Sequence, residues 1–373
     1  MPKQTASLFE HFKNISDPRV NRTKRHNLLE IIVIAICAIL CGADTWTDIE
    51  EFGNSKMEWF KTFLELPNGI PSHDTFGRVF ALLDPEQFER SFQSWVATIA
   101  ILMGREVVAI DGKTARRSHG KSAGPAALHL VSAFATRNGL TLGERAIDTK
   151  SNELKAIPKL LRILALSGCI VTIDAAGCYP EIIEQIIENK ADYIVAVKRN
   201  QPTLYTDIES IFSSVPVGGR DTEYQEGRAH GRAETRECFV VTDPLYLSRL
   251  RTKDAWKNLA SVVKIAGTRK NAQTKTSDAR YYISSMADMT ADKMLEAVRN
   301  HWRIENSLHW ILDIAFREDE SRIRKGHAQE NFALMRKISL NLLKQEKTVT
   351  KGIRAKRMKA GWDAPYLLKV LGI

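Results

Sequence analysis

No apolar run in this chain approaches the roughly 20 residues that a bilayer-spanning helix needs. The longest, Ile31 to Gly42, falls well short and reads as a buried helix. Cysteine is scarce: five residues, an odd number without framework spacing, exclude a disulfide-built scaffold and point to a reducing cytoplasm. Cys37 and Cys41 lie one helical turn apart, but no histidine or further cysteine completes a zinc set, so they read as small core residues. There is no internal repeat and no low-complexity tract, and Pro2-Lys3-Gln4 leads into a mixed, charged segment rather than a leader peptide. Acids are the minority charge, 44 against 54 lysines and arginines. The formal net charge of +10 favours a polyanionic partner. What is present is ample for folding: 373 residues, 44% hydrophobic, with seven tryptophans, enough for two or three packed domains and too apolar for a disordered chain.

Residues 1–95 read as a helical unit. Leu28 to Leu40 is its central helix and Met57 to Leu66 another. Ser72 is placed to cap a helix from His73 to Leu83, and Asp84-Pro85 combines a cap with proline at the first helical position. Phe88, Phe92 and Trp95 then recur on one helical face. Arg19, Arg22, Lys24, Arg25 and His26 form a basic loop, suited equally to phosphates or to solvent. A helical unit of this kind ahead of a catalytic core suits a reader of DNA ends, although no clean helix-turn-helix pattern is present.

From Glu106 the pattern changes to strands. Val107 to Ile110 is a short apolar run of the kind buried on both faces of a sheet, and Asp111-Gly112 falls where it emerges. Two runs around the turn signal Arg137-Asn-Gly139 make a hairpin. Ser151 is placed to cap a helix reaching Leu166. A second buried run ends at Asp174, a helix follows from Pro180 to Asn189, and Tyr193 to Val197 is another strand. A three-stranded meander, then helix, strand, helix, strand, predicts an α/β, ribonuclease-H-like catalytic core with its first part over 104–204. Residues 205–286 read as a β-rich insertion, with Glu237–Thr242, Ser261–Ile265 and Arg280–Ile283 as strands. Residues 287–345 hold the second part of the core: a long helix capped by Thr290 and carrying Glu305, then a basic amphipathic helix. Residues 346–373 are a basic tail in which Trp362 to Leu371 docks.

Two strand-end aspartates and a helix-borne glutamate are the side chains a two-metal site for phosphoryl transfer needs. Mg²⁺ prefers oxygen ligands and keeps several waters, so a few carboxylates and a substrate phosphate suffice. Two such ions roughly 4 Å apart activate a nucleophile and stabilise the leaving oxygen of an in-line displacement. Asp111 would bridge both ions, with Asp174 and Glu305 each holding one. A pair of acids also serves glycoside hydrolysis, but no sugar-stacking aromatics surround these strand ends. His301, Glu305 and His309 recur every four residues, as in a zinc helix. The helical rise separates the two histidines by about 12 Å, too far to share one ion. They are expected to flank Glu305, orienting it or contacting DNA.

At this point the residues resemble a known family. Ala109-Ile-Asp-Gly-Lys-Thr114, Lys150-Ser-Asn-Glu153, Thr172-Ile-Asp-Ala-Ala-Gly-Cys178, Ala196-Val-Lys198 with Asn200-Gln201, His230-Gly-Arg232 and Asn300-His-Trp-Arg-Ile-Glu-Asn306 are similar to the H-repeat-associated transposases of bacterial insertion sequences, within the DDE superfamily. Leu308-His-Trp310, Leu312-Asp313 and Glu318-Asp319 extend the likeness. Asp17-Pro-Arg19 and Gly69-Ile-Pro-Ser-His-Asp74 match the family's helical associated region. The resemblance implies Asp111, Asp174 and Glu305 as the acidic triad, with two Mg²⁺ or Mn²⁺ ions. Related transposases carry Tyr, Arg and Lys around the glutamate. Val298, His301 and Leu312 stand at those positions here, and His301 and His309 are the candidate substitutes. Lys113 and Lys198, just past strand ends, are candidates for phosphate contacts or ordinary surface lysines. His230 and Arg232 bind the DNA end or simply form a turn.

The expected protein is a cytoplasmic DNA transposase with no membrane association. It would cleave phosphodiester bonds at element ends and join the freed 3′ ends to target DNA, working on double-stranded DNA as a homodimer in a synaptic complex. Two other readings stay open: a DNA-binding protein that no longer transposes, and a structure-selective nuclease on the same fold.

Overall fold

The structure is a computed structural model that describes residues 8–102, 104–115, 128–147, 153–229, 232–270 and 274–373. Nine strands form one mixed sheet: β1 (Val107–Thr114), β2 (His129–Ala135), β3 (Leu140–Ile147), β4 (Ile170–Ile173), β5 (Asp192–Val197), β6 (Asp221–Ala229), β7 (Arg232–Val241), β8 (Ser261–Lys270) and β9 (Lys275–Ser284). Their order across the sheet is β3-β2-β1-β4-β5-β9-β8-β7-β6. β1, β4 and β5 run parallel and all other pairings are antiparallel. The meander, helix, strand, helix, strand succession is therefore present. The strands expected in 205–286 do not fold apart but extend the sheet from the edge of β5, through the β5–β9 pairing.

The stretches of β1 and β4 that pair with each other, Val107 to Ile110 and Ile170 to Ile173, are buried along their length because helices cover both of their faces, and Thr172 contributes a buried hydroxyl among apolar side chains. β9 differs along its own length. Its first six residues are exposed and its last four are buried, so the β8–β9 ribbon projects out of the sheet before joining it.

The helical amino-terminal region meets the sheet through helix Pro85–Ile99, which packs on β3, while its central helix is Leu28–Leu40. Asn27 accepts from the Leu29 N–H at 2.8 Å at its start. At its end Gly42, with φ +119°, lets the Ala43 N–H reach back to the Ala38 carbonyl at 2.9 Å. Leu28 and every residue from Glu30 to Leu40 are buried, and each fully buried Leu or Ile adds about 1.5–3 kcal/mol. Its main partner is helix Ala328–Gln345. That helix was expected to be basic and amphipathic; instead it is buried on nearly every face, with Arg336 and Lys337 only 3% and 1% exposed. The C-terminal helix Ala364–Leu371 docks as expected, burying Tyr366, Leu367, Val370 and Leu371.

Several capping expectations change. Asp84 caps its helix, accepting from the Glu86 N–H at 3.0 Å. Ser72 heads helix His73–Leu82 without capping it; its hydroxyl meets Thr75 Oγ1 at 3.2 Å. Thr290 likewise makes no cap, and the Ala291 N–H donates instead to Asp221 on β6 at 2.6 Å. The helix between Met57 and Leu66 ends at Phe60, and Ser151 lies outside the described residues. Arg19 of the basic loop is buried in a two-toothed pair with Asp17 (2.8 and 2.9 Å) and donates to the His26 carbonyl at 2.7 Å, whereas Arg22, Lys24 and Arg25 face solvent. The cysteines are free, with Cys37, Cys169, Cys178 and Cys238 buried. No helix among the described residues is long and apolar enough to cross a membrane.

Candidate metal centre

The site begins with register. β1 and β4 are parallel neighbours paired from Val107–Ile170 through Ile110–Ile173, so Asp111 and Asp174 are the next residues in line on adjacent strands. Neighbouring strands lie about 4.8 Å apart, which sets the two acids side by side at one sheet edge. Beyond Ile173 the chain makes the tight 3₁₀ turn Ala175–Gly177, and the Asp174 carboxylate accepts the Ala176 N–H at 2.9 Å. Gly177 is required there, because a Cβ would stand 2.4 Å from Ile173 Cγ2. Asn200 and Gln201 brace the same turn, donating to the Ala175 and Cys178 carbonyls at 2.7 and 2.8 Å.

The third acid arrives on an interrupted helix. An α-helix over Ala291–His301 gives way at Trp302, Glu305–His309 forms a π turn, and α-helix resumes over Trp310–Phe316. A π turn accommodates one extra residue, which resets the helix phase by about 100°. Sequence periodicity predicted an unbroken helix here and missed this feature. The Ser307 carbonyl, inside the π turn, accepts from Lys344 Nζ at 2.6 Å. Burial pushes the Lys344 amine down to about 7, and its nitrogen lies 4.7 Å above the Phe134 ring.

One ligand atom each from Asp111, Glu305 and His309 lies within 4.8 Å of the others. His309 Nδ1 is 3.4 Å from Glu305 Oε2 and 3.7 Å from Asp111 Oδ2, while its buried Nε2 has no partner. Burial first, and then the charge of Glu305, raises the Asp111 carboxyl well above the usual range, with Asp174 adding to the shift. Glu305, half-exposed, is lowered, chiefly by its hydrogen bond with His309. The two carboxylates are therefore shifted in opposite directions, the more buried Asp111 upward and Glu305 downward. Such crowding of acids calls for a cation, and oxygen donors of this kind suit Mg²⁺ or Mn²⁺.

The remaining candidates separate into three groups. His301 is buried on the first helical segment, its Nδ1 3.0 Å from Thr172 Oγ1, and burial lowers its pKa. Facing the sheet, it has a packing position rather than an exposed one. Lys198 is exposed at the mouth of a cavity of about 580 Å³ that Asp174, Arg199, Arg280, His301 and Trp302 also line. Lys113 corrects the expectation of a lysine free for phosphate: its side chain is 13% exposed and pairs with Asp313 and, at 2.9 Å, with Glu318. His230 lies outside the described residues, and the backbone of Arg232 opens β7 opposite Ala229.

Asp313, Glu318, Lys337 and Glu144 were not singled out as a network, yet buried Glu318, Lys337 and Glu144 and partly exposed Asp313 form a charged layer next to the site. Lys337 pairs with Glu144, and Glu318 is held down to about 2: burial would raise it, but Lys337, Lys113 and Arg336 outweigh that. The only sequence signal was the presence of acids shortly after Glu305.

Comparison with known proteins decides the family. The family model described as Transposase DDE domain matches residues 102–342, and the one described as DDE_Tnp_1-associated matches residues 9–96. The chain belongs to the DDE transposase family. Among the relatives of this DDE family member is the H repeat-associated putative transposase YhhI of Escherichia coli strain K12, 39% identical over 98% of this chain and 97% of that protein. Another is the putative transposase YncI of Escherichia coli O157:H7, 39% identical over 98% of this chain and 94% of that protein. Among solved structures, a piggyBac transposase chain from a synaptic complex with hairpin DNA covers 99% of this chain and 77% of its own, at 11% identity and a TM-score of 0.43.

Proposed function

We propose that this chain is a DNA transposase that cleaves phosphodiester bonds at the ends of an insertion sequence and joins the freed 3′ ends to target DNA. Its core is ribonuclease-H-like, and Asp111, Asp174 and Glu305 hold two Mg²⁺ or Mn²⁺ ions. The observation that carries this reading is the meeting of Asp111 with Glu305, together with the register that makes Asp174 its neighbour. When bound, the ions lower the pKa of the attacking hydroxyl or water and offset charge on the leaving oxygen.

The chain's own residues do the rest. Asp111, the central acid, would lie against both cations. His309 Nδ1 keeps Glu305 turned toward Asp111 from within the helix. Asn200 and Gln201 hold the turn that presents Asp174. Lys198, exposed beside Asp174, meets a phosphate of the DNA strand, and the net positive charge supplies sequence-independent affinity that weakens steeply with salt. Two copies working on two ends form the synaptic assembly.

The test is a cleavage assay on duplex DNA bearing the element's ends. With Mg²⁺, the wild-type protein nicks at the ends, while Asp174→Ala abolishes nicking and keeps DNA affinity within about threefold, the acid being replaced without loss of basic surface. Nicking by the variant at wild-type rate refutes the assignment of Asp174. Binding without nicking by the wild type supports a DNA-binding protein instead, and cutting confined to branched DNA supports a structure-selective nuclease.

A further inference from the structure

The tie between Lys113 and the helix that carries Glu305 has a role that neither the family match nor the acidic cluster assigns. Lys113 lies two residues after Asp111 on β1, so the two side chains share one face of the strand. Asp313 lies eight residues after Glu305, in the α segment that follows the π turn. Glu318 follows a sharp reversal at Arg317, a non-glycine residue at φ +50°, ψ +38°, a left-handed conformation that costs roughly 1 kcal/mol or more. That reversal brings Glu318 back under the strand, where its side chain is 2% exposed and 2.9 Å from Lys113 Nζ. Two other cations reach this helix from elsewhere in the fold. Lys344 reaches the Ser307 carbonyl from helix Ala328–Gln345, and Arg357 reaches the Ala315 carbonyl from helix Ile353–Trp362 while donating to the Ile39 carbonyl at 2.6 Å. Of these three cations, Lys113 alone joins the Glu305 helix to the strand that bears Asp111.

We infer that Lys113 is a positioning residue: bridging Asp313 and Glu318, it sets the spacing between Asp111 on β1 and Glu305 on the interrupted helix, and so sets the affinity of the pair for a divalent cation. The π turn lies between Glu305 and Asp313 and gives the rod a place to flex. Without the bridge, the segment before the turn keeps its packing on β1 and the His301–Thr172 hydrogen bond to β4, but no lysine spans from β1 to the segment after it, and the two carboxylates separate by the fraction of an ångström that Mg²⁺, with its strict octahedral geometry, tolerates poorly. Lys344 and Arg357 still hold the helix in the fold, so spacing rather than folding is what changes. The inference rests on the metal-binding reading proposed above.

The experiment measures Mn²⁺ binding to the full chain by electron paramagnetic resonance, without DNA, with unfolding midpoints recorded in parallel. Lys113→Met alone leaves the buried Glu318 carboxylate without this counter-charge, which destabilises strongly, so the main variant is Lys113→Met/Glu318→Gln, which removes both members of that buried pair. Its Mn²⁺ affinity is expected to fall at least tenfold, and Asp313→Asn, at a side chain 30% exposed, is expected to lower affinity several-fold with little change in midpoint. Glu346→Gln is the control: a buried carboxylate hydrogen-bonded to Thr348 and Tyr366 near the C-terminus, it lowers the midpoint without moving Mn²⁺ affinity. If the double variant does not fold, Asp313→Asn decides. Wild-type Mn²⁺ affinity in the variants, when the wild type binds and Asp111→Asn does not, overturns the inference while leaving the metal site intact. Absence of binding by the wild type overturns the metal-site reading and the inference together.

Discussion

The cations beneath the Glu305 helix and those around the Asp174 cavity have the same chemistry and opposite uses. Beneath the helix, Arg336, Lys337 and Arg357 are each at most 6% exposed and are engaged with carboxylates, carbonyls or an aromatic face inside the molecule. Beside Asp174, Lys198 and Arg199 face solvent at a cavity mouth, with Arg280 lying over Trp302 at 5.5 Å. A net charge of +10 therefore does not map onto a nucleic-acid surface by counting. A share of the positive charge holds the acidic site together, and the exposed remainder is what a polyanion meets.

The sharpest way to break this contrast is to neutralise one cation from each group. Lys337→Met strands Glu144 without its buried partner and is expected to cost about 3–5 kcal/mol of stability by urea denaturation. Lys337→Met/Glu144→Leu, which removes both charges, should recover most of that loss. A Lys337→Met protein as stable as the wild type would show that the pair is not structural.

The buried group also predicts an acid limit. Glu318 is held down to about 2, well below an ordinary glutamate. A depressed acid contributes stability that is fully present above its unfolded pKa of about 4.3 and is lost as pH falls toward the folded value. On the order of 3 kcal/mol should disappear between about pH 4.5 and pH 2. Urea midpoints across that window should fall in the wild type and flatten in Glu318→Gln; equal slopes in both would assign the acid sensitivity to other carboxylates.

The smallest effect belongs to the exposed group. Lys198→Ala should leave stability within about 0.5 kcal/mol and reduce DNA affinity only a few-fold, lowering the salt slope of binding by about 1. Filter binding across a salt series measures the slope. An unchanged slope would remove Lys198 from the interface, and a large loss of stability would move it into the buried group.

How much of this was legible in the sequence follows the same division. Asp111 and Asp174 could be read because each ends an apolar run, and a run buried on both faces has only one place for a charge, where the strand emerges. The strand order followed from the same runs and from the Asn138-Gly139 turn. The π turn at Glu305–His309 could not be read, since the buried residues Ile304, Leu308, Leu312 and Phe316 recur every four residues across it, a spacing that an ordinary helix also shows. The caps at Ser72 and Thr290 failed because propensity names a residue type and not its partner; Asp221, far away in sequence, took the Ala291 N–H. Lys113 and Lys337 failed for a deeper reason. Lysine is almost never fully buried unless paired, and pairing is a property of the folded chain.

A crystal structure grown with Mn²⁺ tests the central claim most directly. Anomalous density lying within ligand distance of Asp111 and Glu305, with a second peak next to Asp174, is the predicted result. Mn²⁺ bound elsewhere on the protein, or Glu305 turned away from Asp111 with no density between them, contradicts it.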